Sequence, residues 1–190
     1  MNVCIYGASS SQIAADYITA TEELGRRLAE AGHSLVYGGG GAGLMGAAAR
    51  GMTAGGGRIV GVVPHFLRVD GILYEHCDEM VYTETMRQRK QVMDERADAF
   101  IVTPGGIGTY EEFFEMYTLK QLGQHAKPII VYNIGGYYDH LLEMLRFTVA
   151  EGFMRELSLS LFTVATTPKE ALAQLEAPAV TADIKQTKFV

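Results

Sequence analysis

Short apolar runs alternate with longer amphipathic stretches along most of this chain. Runs at 3–6, 34–37, 59–63, 79–82, 99–102, 128–132 and 162–165 are four or five residues long and mostly rich in Val, Ile, Tyr and Phe, which predicts strands. The stretches 14–31, 44–53, 85–96, 109–122, 138–151 and 168–175 repeat apolar residues at helical spacing and predict helices. Buried-looking strands separated by helices make βαβ units. The fold class is therefore α/β, with a doubly wound, mainly parallel sheet and helices on both faces. Ligands of such sheets sit beyond the carboxyl ends of the strands, where the strand order reverses. Gly32, Gly123 and Gly152 each follow a helix as a C′ residue, and Pro168 suits a first helical turn. No internal repeat or interdomain linker interrupts the pattern. Residues 1–177 read as one domain, and the polar, weakly patterned 178–190 as a loose tail.

The strand at 99–102 runs into Pro104-Gly-Gly-Ile-Gly-Thr-Tyr-Glu-Glu112 and then a helix. Three glycines free backbone N–H groups to converge, and the helix N-terminus adds partial positive charge, which together suit an anion such as phosphate. A carboxylate, Glu112, follows at once. Thr109 and Glu112 also fit a capping box, in which Glu reaches back to the cap amide. That reading accounts for both residues but not for the glycines.

A second glycine cluster, Gly38 to Gly46, matches G-x-G-x-x-G twice between a strand and a helix. It lies on the second βα unit, and no acidic residue ends the next strand to hold a ribose hydroxyl. Close backbone packing or phosphate approach fits better than a dinucleotide. The first turn, Gly7-Ala-Ser-Ser-Ser11, offers hydroxyls either as N-caps or as a further wall of the pocket. Upstream, Met86-Arg-Gln-Arg-Lys90 puts basic residues in a first helical turn, against the helix dipole. A bound phosphate would explain that placement, and a solvated basic face is the alternative. Adjacent helical residues point about 100° apart, so Arg89 and Lys90 do not face one way.

Composition narrows the choice. A length of 190 residues, 48% hydrophobic and 20% charged, describes an ordinary globular protein. A net charge of -6 without a basic run argues against nucleic acid as a partner. No segment is apolar for long enough to span a membrane. Two cysteines far apart, Cys4 and Cys77, suit a reduced, cytoplasmic chain. The five histidines have no metal-ligand spacing, so no metal is expected. No P-loop motif and no G-x-S-x-G elbow is present.

P-G-G-I-G-T-Y-E-E with the upstream M-x-x-R-K resembles the Lonely Guy (LOG) family, whose pattern is P-G-G-x-G-T-x-x-E. The resemblance extends to G-G-G-x-x-G-L-M-G at 38–46, Q-L-G-x-H-x-K-P at 121–128, G-Y-Y-D-H-L-L at 136–142 and E-G-F at 151–153. It implies a Rossmann-like fold, a homodimer with sites near the interface, and no cofactor. The implied reaction is hydrolysis of the N-glycosidic bond of adenosine-type nucleoside 5′-monophosphates, AMP or cytokinin riboside monophosphates, to free base and ribose 5-phosphate. The implied catalytic residues are Arg89 and Glu112. The implied substrate contacts are Lys90, the loop Gly105, Gly106, Ile107, Gly108, Thr109, Tyr110 and Glu111, and Thr118. Ser9, Gly39, Gly40 and Met86, from the turns and the basic segment read above, are further candidate contacts. Arg87 stands where the family commonly has His, and Leu119 where it has Trp. A non-catalytic carrier of a nucleotide or phosphorylated cofactor is the competing class; the presence of Arg89 and Glu112 together favours the enzyme.

C–N cleavage at C1′ builds positive charge on the ribose ring. Glu112 is the group to stabilise it or to activate water. Arg89 stays protonated and so does not act as a general acid; it is expected to pair with Glu112 and bind substrate.

Overall fold

The computed structural model describes residues 1–69 and 71–177; the tail expected at 178–190 lies outside the described residues. Seven strands form one sheet: β1 (Asn2–Tyr6), β2 (Ser34–Tyr37), β3 (Ile59–Pro64), β4 (Glu79–Thr83), β5 (Ala99–Val102), β6 (Ile129–Tyr132) and β7 (Thr163–Ala165), in the order β4-β3-β2-β1-β5-β6-β7. Every neighbouring pair is parallel. The order reverses between β1 and β5, where Val3 stands opposite Ala99 and Tyr6 opposite Val102.

Six helices complete the winding: α1 (Ala15–Glu30), α2 (Gly43–Ala54), α3 (Met86–Arg96), α4 (Ile107–Gln121), α5 (Asp139–Ala150) and α6 (Pro168–Glu176). The pleat of β1 shows how the faces are shared. Val3 and Ile5 enter a core with Leu24, Leu28, Met52 and Leu175 of α1, α2 and α6. Cys4 and Tyr6 enter the other core, with Met93, Phe113, Met116 and Leu145 of α3, α4 and α5. Alternate residues of a strand point to opposite faces, so strands apolar at every position are buried on both sides.

The helix ends follow local chemistry. Gly32, Gly123 and Gly152 occupy the C′ positions with φ of 78°, 71° and 79°, a left-handed region that glycine enters without strain. Thr167 caps α6 by accepting from Glu170 N, with Pro168 in the first turn. Thr85 caps α3 in a reciprocal pair with Gln88, a T-x-x-Q box that the basic residues around it obscured. The serines of the first turn are not caps: α1 starts at Ala15, and Ser10 Oγ accepts instead from Gln12 N.

β3 and β4 are joined without an α-helix. A short 3-10 turn, His65–Leu67, leads into a loop laid over the glycine run. Gly41 N donates to Ile72 O at 2.8 Å, and Tyr74 N donates to Gly39 O at 2.9 Å.

Candidate active site

At the reversal point, beyond the carboxyl ends of the strands, lies an open cavity of about 490 Å³, within the roughly 300–1,000 Å³ range of small-molecule sites. Its floor is Arg89 and Glu112, and one wall is the turn Gly106-Ile-Gly-Thr109. Ser9 and Gly40 complete the polar side, and Leu67, Ile72 and Leu73 of the β3–β4 connection form an apolar rim.

The turn is an uncapped helix start. Gly106 is the N-cap of α4, and no side chain bonds the first-turn amides. The helix begins at Ile107, which puts Thr109 in its first turn and Glu112 in its second. The capping-box alternative for Thr109 and Glu112 is therefore overturned. The first-turn amides are left for a ligand, with the positive end of the helix dipole behind them. A Cβ on Gly106 or Gly108 would meet only open space. A Cβ on Gly105 would overlap Thr109 Oγ1.

Two tyrosines hold this turn from behind. Tyr138 Oη donates to Thr103 O and Tyr137 Oη to Gly105 O, both at 2.7 Å. Tyr138 is fixed in turn by its N–H to Asn133 Oδ1 at 2.6 Å, and Asn133 Nδ2 donates to Asp139 Oδ1.

The Gly38–Gly46 cluster is different. The first-turn amides of α2, Leu44 N and Met45 N, both donate to Ala8 O. That start is consumed by packing and not open to an anion. Gly38 serves another purpose: a Cβ there would overlap Arg89 Nη2, so its bare backbone gives the guanidinium its berth.

Arg89 and Glu112 are 8% and 9% exposed. Arg89 Nη1 lies 3.3 Å from Glu112 Oε1, and Arg89 Nε donates to Val62 O at 3.2 Å. The guanidinium is thus tied to the end of β3 and holds the carboxylate in place. Burial pushes the Glu112 carboxyl up to about 7, with the Arg89 charge pulling it back down and Glu111 pushing it up again. A carboxyl that titrates near neutral pH inside a cavity is what acid–base work requires.

Of the residues expected to touch substrate, Ser9, Gly40, Arg89, Gly106, Ile107, Gly108, Thr109 and Glu112 line the cavity. Gly105 lines a smaller adjoining hollow beside Tyr17 and Tyr137. Gly39 stands behind the wall, with φ of 75°. Lys90 turns away from the cavity: it ion-pairs with Glu111 and, at 2.8 Å, with Glu115. Tyr110 packs edge-on against Tyr138. Thr118 and Met86 are exposed and outside the lining; Thr118 is on α4 six residues beyond Glu112, about 240° around the helix. Sequence reasoning missed Val63, Leu67, Ile72 and Leu73 as lining residues. The signal available was an apolar segment with no helical period, Phe66 to Leu73. Among the described residues no group of three or more His, Cys, Asp or Glu is placed to hold a metal ion.

The fold and this cavity define a Rossmann-type α/β protein with an anion-accepting helix start facing a buried Arg–Glu pair. Residues 45–175 match the family model described as "Possible lysine decarboxylase". The protein named "Cytokinin riboside 5′-monophosphate phosphoribohydrolase LOG" of Oryza sativa subsp. japonica is 40% identical over 174 residues, covering 92% of this chain and 72% of its own. Its namesake LOG7 of Arabidopsis thaliana is also 40% identical, over 92% of this chain and 80% of its own. The solved molybdenum cofactor carrier protein of Chlamydomonas reinhardtii superposes with a TM-score of 0.70 at 20% identity, over 92% of this chain and 95% of its own, which is a likeness of fold. The chain belongs to the Lonely Guy family, the one carrying the "Possible lysine decarboxylase" description.

Proposed function

We propose that this protein hydrolyses the N-glycosidic bond of adenosine-type nucleoside 5′-monophosphates, AMP and cytokinin riboside monophosphates among them, to free base and ribose 5-phosphate. The observation that carries the reading is the buried Arg89–Glu112 pair on the floor of a cavity whose wall is an uncapped helix start. The 5′-phosphate sits on the amides of residues 107–109, which brings C1′ towards Glu112. Binding energy from the remote phosphate then becomes orientation at the reacting carbon. The C1′–N bond breaks, a C1′–O bond forms to water, and the ionised Glu112 either takes the water proton or stabilises the ribosyl cation; the departing base nitrogen takes up one proton as the water gives one up, by way of Glu112 or solvent. Arg89 holds Glu112 and donates to substrate. Leu67, Ile72 and Leu73 provide an apolar surface for the base.

The same reading takes the protein to be a cytoplasmic homodimer without a nucleic-acid partner. The dimer is supported by an apolar surface on and after α5, where Met144, Phe147 and Phe153 are 47%, 64% and 86% exposed. The cytoplasm is supported by Cys4 and Cys77, both free thiols. No helix among the described residues is long and apolar enough to cross a membrane.

The test is incubation with a panel of nucleoside monophosphates and nucleosides, followed by chromatography for free base. AMP should yield adenine and ribose 5-phosphate, and adenosine should react far more slowly. Equal rates for AMP and adenosine would remove the phosphate anchor, and no base from any monophosphate would remove the hydrolase.

A further inference from the structure

Another hollow, about 100 Å³, opens at the opposite end of the strands, near the β7 edge of the sheet. It lies between the last turn of α4 and the amino ends of β6 and β7, with α6 closing one side. Lys120 projects from α4 into its lining and is only 8% exposed. Among the described residues no carboxylate is in ion-pair reach of its amine, and burial alone acts on it, pulling its proton affinity down. His125 is near enough for Lys120 to help lower its proton affinity, after burial as the main cause. The carbonyls ending α4 offset part of one unit of charge and not all of it.

A largely buried lysine whose amine faces a hollow without a counter-charge is costly, and the usual remedies are loss of the proton or capture of an anion. The other polar groups lining the hollow are arranged for the second. Gln174 Nε2 spends one N–H on Val164 O at 2.9 Å and keeps the other. Ser160 Oγ donates to Leu157 O at 2.7 Å and Thr163 Oγ1 to Gln174 Oε1 at 2.6 Å, so both hydroxyl oxygens remain acceptors. Lys120 and Gln174 thus offer donors for an oxyanion, and Ser160 and Thr163 offer acceptors for an O–H that it carries. At about 100 Å³ the hollow has room for one compact ion.

We propose that this hollow is a binding site for one small oxyanion, of the hydrogenphosphate or bicarbonate type, held by Lys120 and Gln174. It is separate from the catalytic cavity, and it stands or falls independently of the nucleotide chemistry. The test is calorimetric titration of the full chain with inorganic phosphate, bicarbonate and acetate at constant ionic strength, for wild type, Lys120→Met and Lys120→Arg. Wild type should bind one equivalent more of phosphate or bicarbonate than Lys120→Met, and Lys120→Arg should keep that equivalent. Turnover of AMP by Lys120→Met should equal wild type. Acetate, which carries no O–H, should bind more weakly than the other two. Identical stoichiometry and affinity in wild type and Lys120→Met would overturn the site, because all binding would then belong to the catalytic cavity. A second measurement needs no variant. Acylation of Lys120, followed by mass spectrometry, should slow about tenfold at ten times the anion's Kd. A labelling rate unchanged by all three anions overturns the proposal.

Discussion

Burial raises the proton affinity of the Glu112 carboxyl, and the charge of Arg89 lowers it; burial wins, at about 7. The consequence for stability has a definite sign. Below pH 4.5 the group is protonated folded or unfolded. Between 4.5 and about 7 the folded protein keeps a proton that the unfolded chain has released, so stability falls as pH rises, by about 3 kcal/mol across the window. Glu112→Gln lacks this penalty. The melting temperature of the variant relative to wild type should therefore increase between pH 5 and pH 8, and a constant difference would refute the titration. The same variant should lose about 100-fold or more in kcat for AMP with little change in KM. Wild-type kcat/KM should climb with pH through about 7, as the carboxylate form appears. Gly38 makes a complementary case. Ala at that position would push the Arg89 guanidinium from its berth. We expect kcat/KM to fall about tenfold or more, since small displacements of a positioning group are costly, while circular dichroism stays native. A fully active Gly38→Ala would show that Arg89 tolerates displacement.

At the scale of elements, the start of α4 is where fold and chemistry meet. A Cβ on Gly108 would touch nothing in the protein, so Gly108→Ala should fold normally while crowding the first-turn amides. KM for AMP should rise about tenfold or more, with the slow reaction of adenosine nearly unchanged; parallel losses on both substrates would mean a general disturbance instead. The elements themselves were legible because strands buried on both faces stand out against amphipathic helices. Every predicted strand and helix is present, with ends shifted by at most two residues. The ends that moved are instructive. The sequence suggests a helix from Thr109, because Thr is a good cap; the helix starts two residues earlier, at Ile107 with Gly106 as its N-cap, and leaves the turn open. Ser9, Ser10 and Ser11 looked like caps and precede α1 by several residues. The β3–β4 connection shows only scattered apolar residues, because no period marks a segment whose partners are the backbone groups of Gly39 and Gly41. The family resemblance offers Lys90 as a substrate contact; two glutamates on the neighbouring helix, Glu111 and Glu115, compete for it, a tertiary effect that spacing does not reveal.

The whole molecule presents an uneven surface. Phe147 and Phe153 are largely exposed beside Met144, an arrangement that favours covering by another surface. The proposed homodimer predicts that Phe147→Glu lowers the mass seen by analytical ultracentrifugation from that of a dimer to that of a monomer; a monomer mass for the wild type would refute the dimer, and a dimer mass for the variant would refute this surface as its contact. Such a surface is invisible to periodicity, since α5 also has a buried stripe, Leu141, Leu142 and Leu145, and reads as an ordinary amphipathic helix.

The pairing of β1 with β5 joins Val3 to Ala99, and the candidate active-site cavity draws on the loops that follow both. Contacts so distant along the chain form late, because loop closure must come before they are rewarded. Helical signal should therefore return early after dilution from denaturant, with catalytic competence lagging behind it. Turnover becomes a stopwatch for the last seam of the sheet to close, and a protein that looks refolded by its helices is not yet an enzyme.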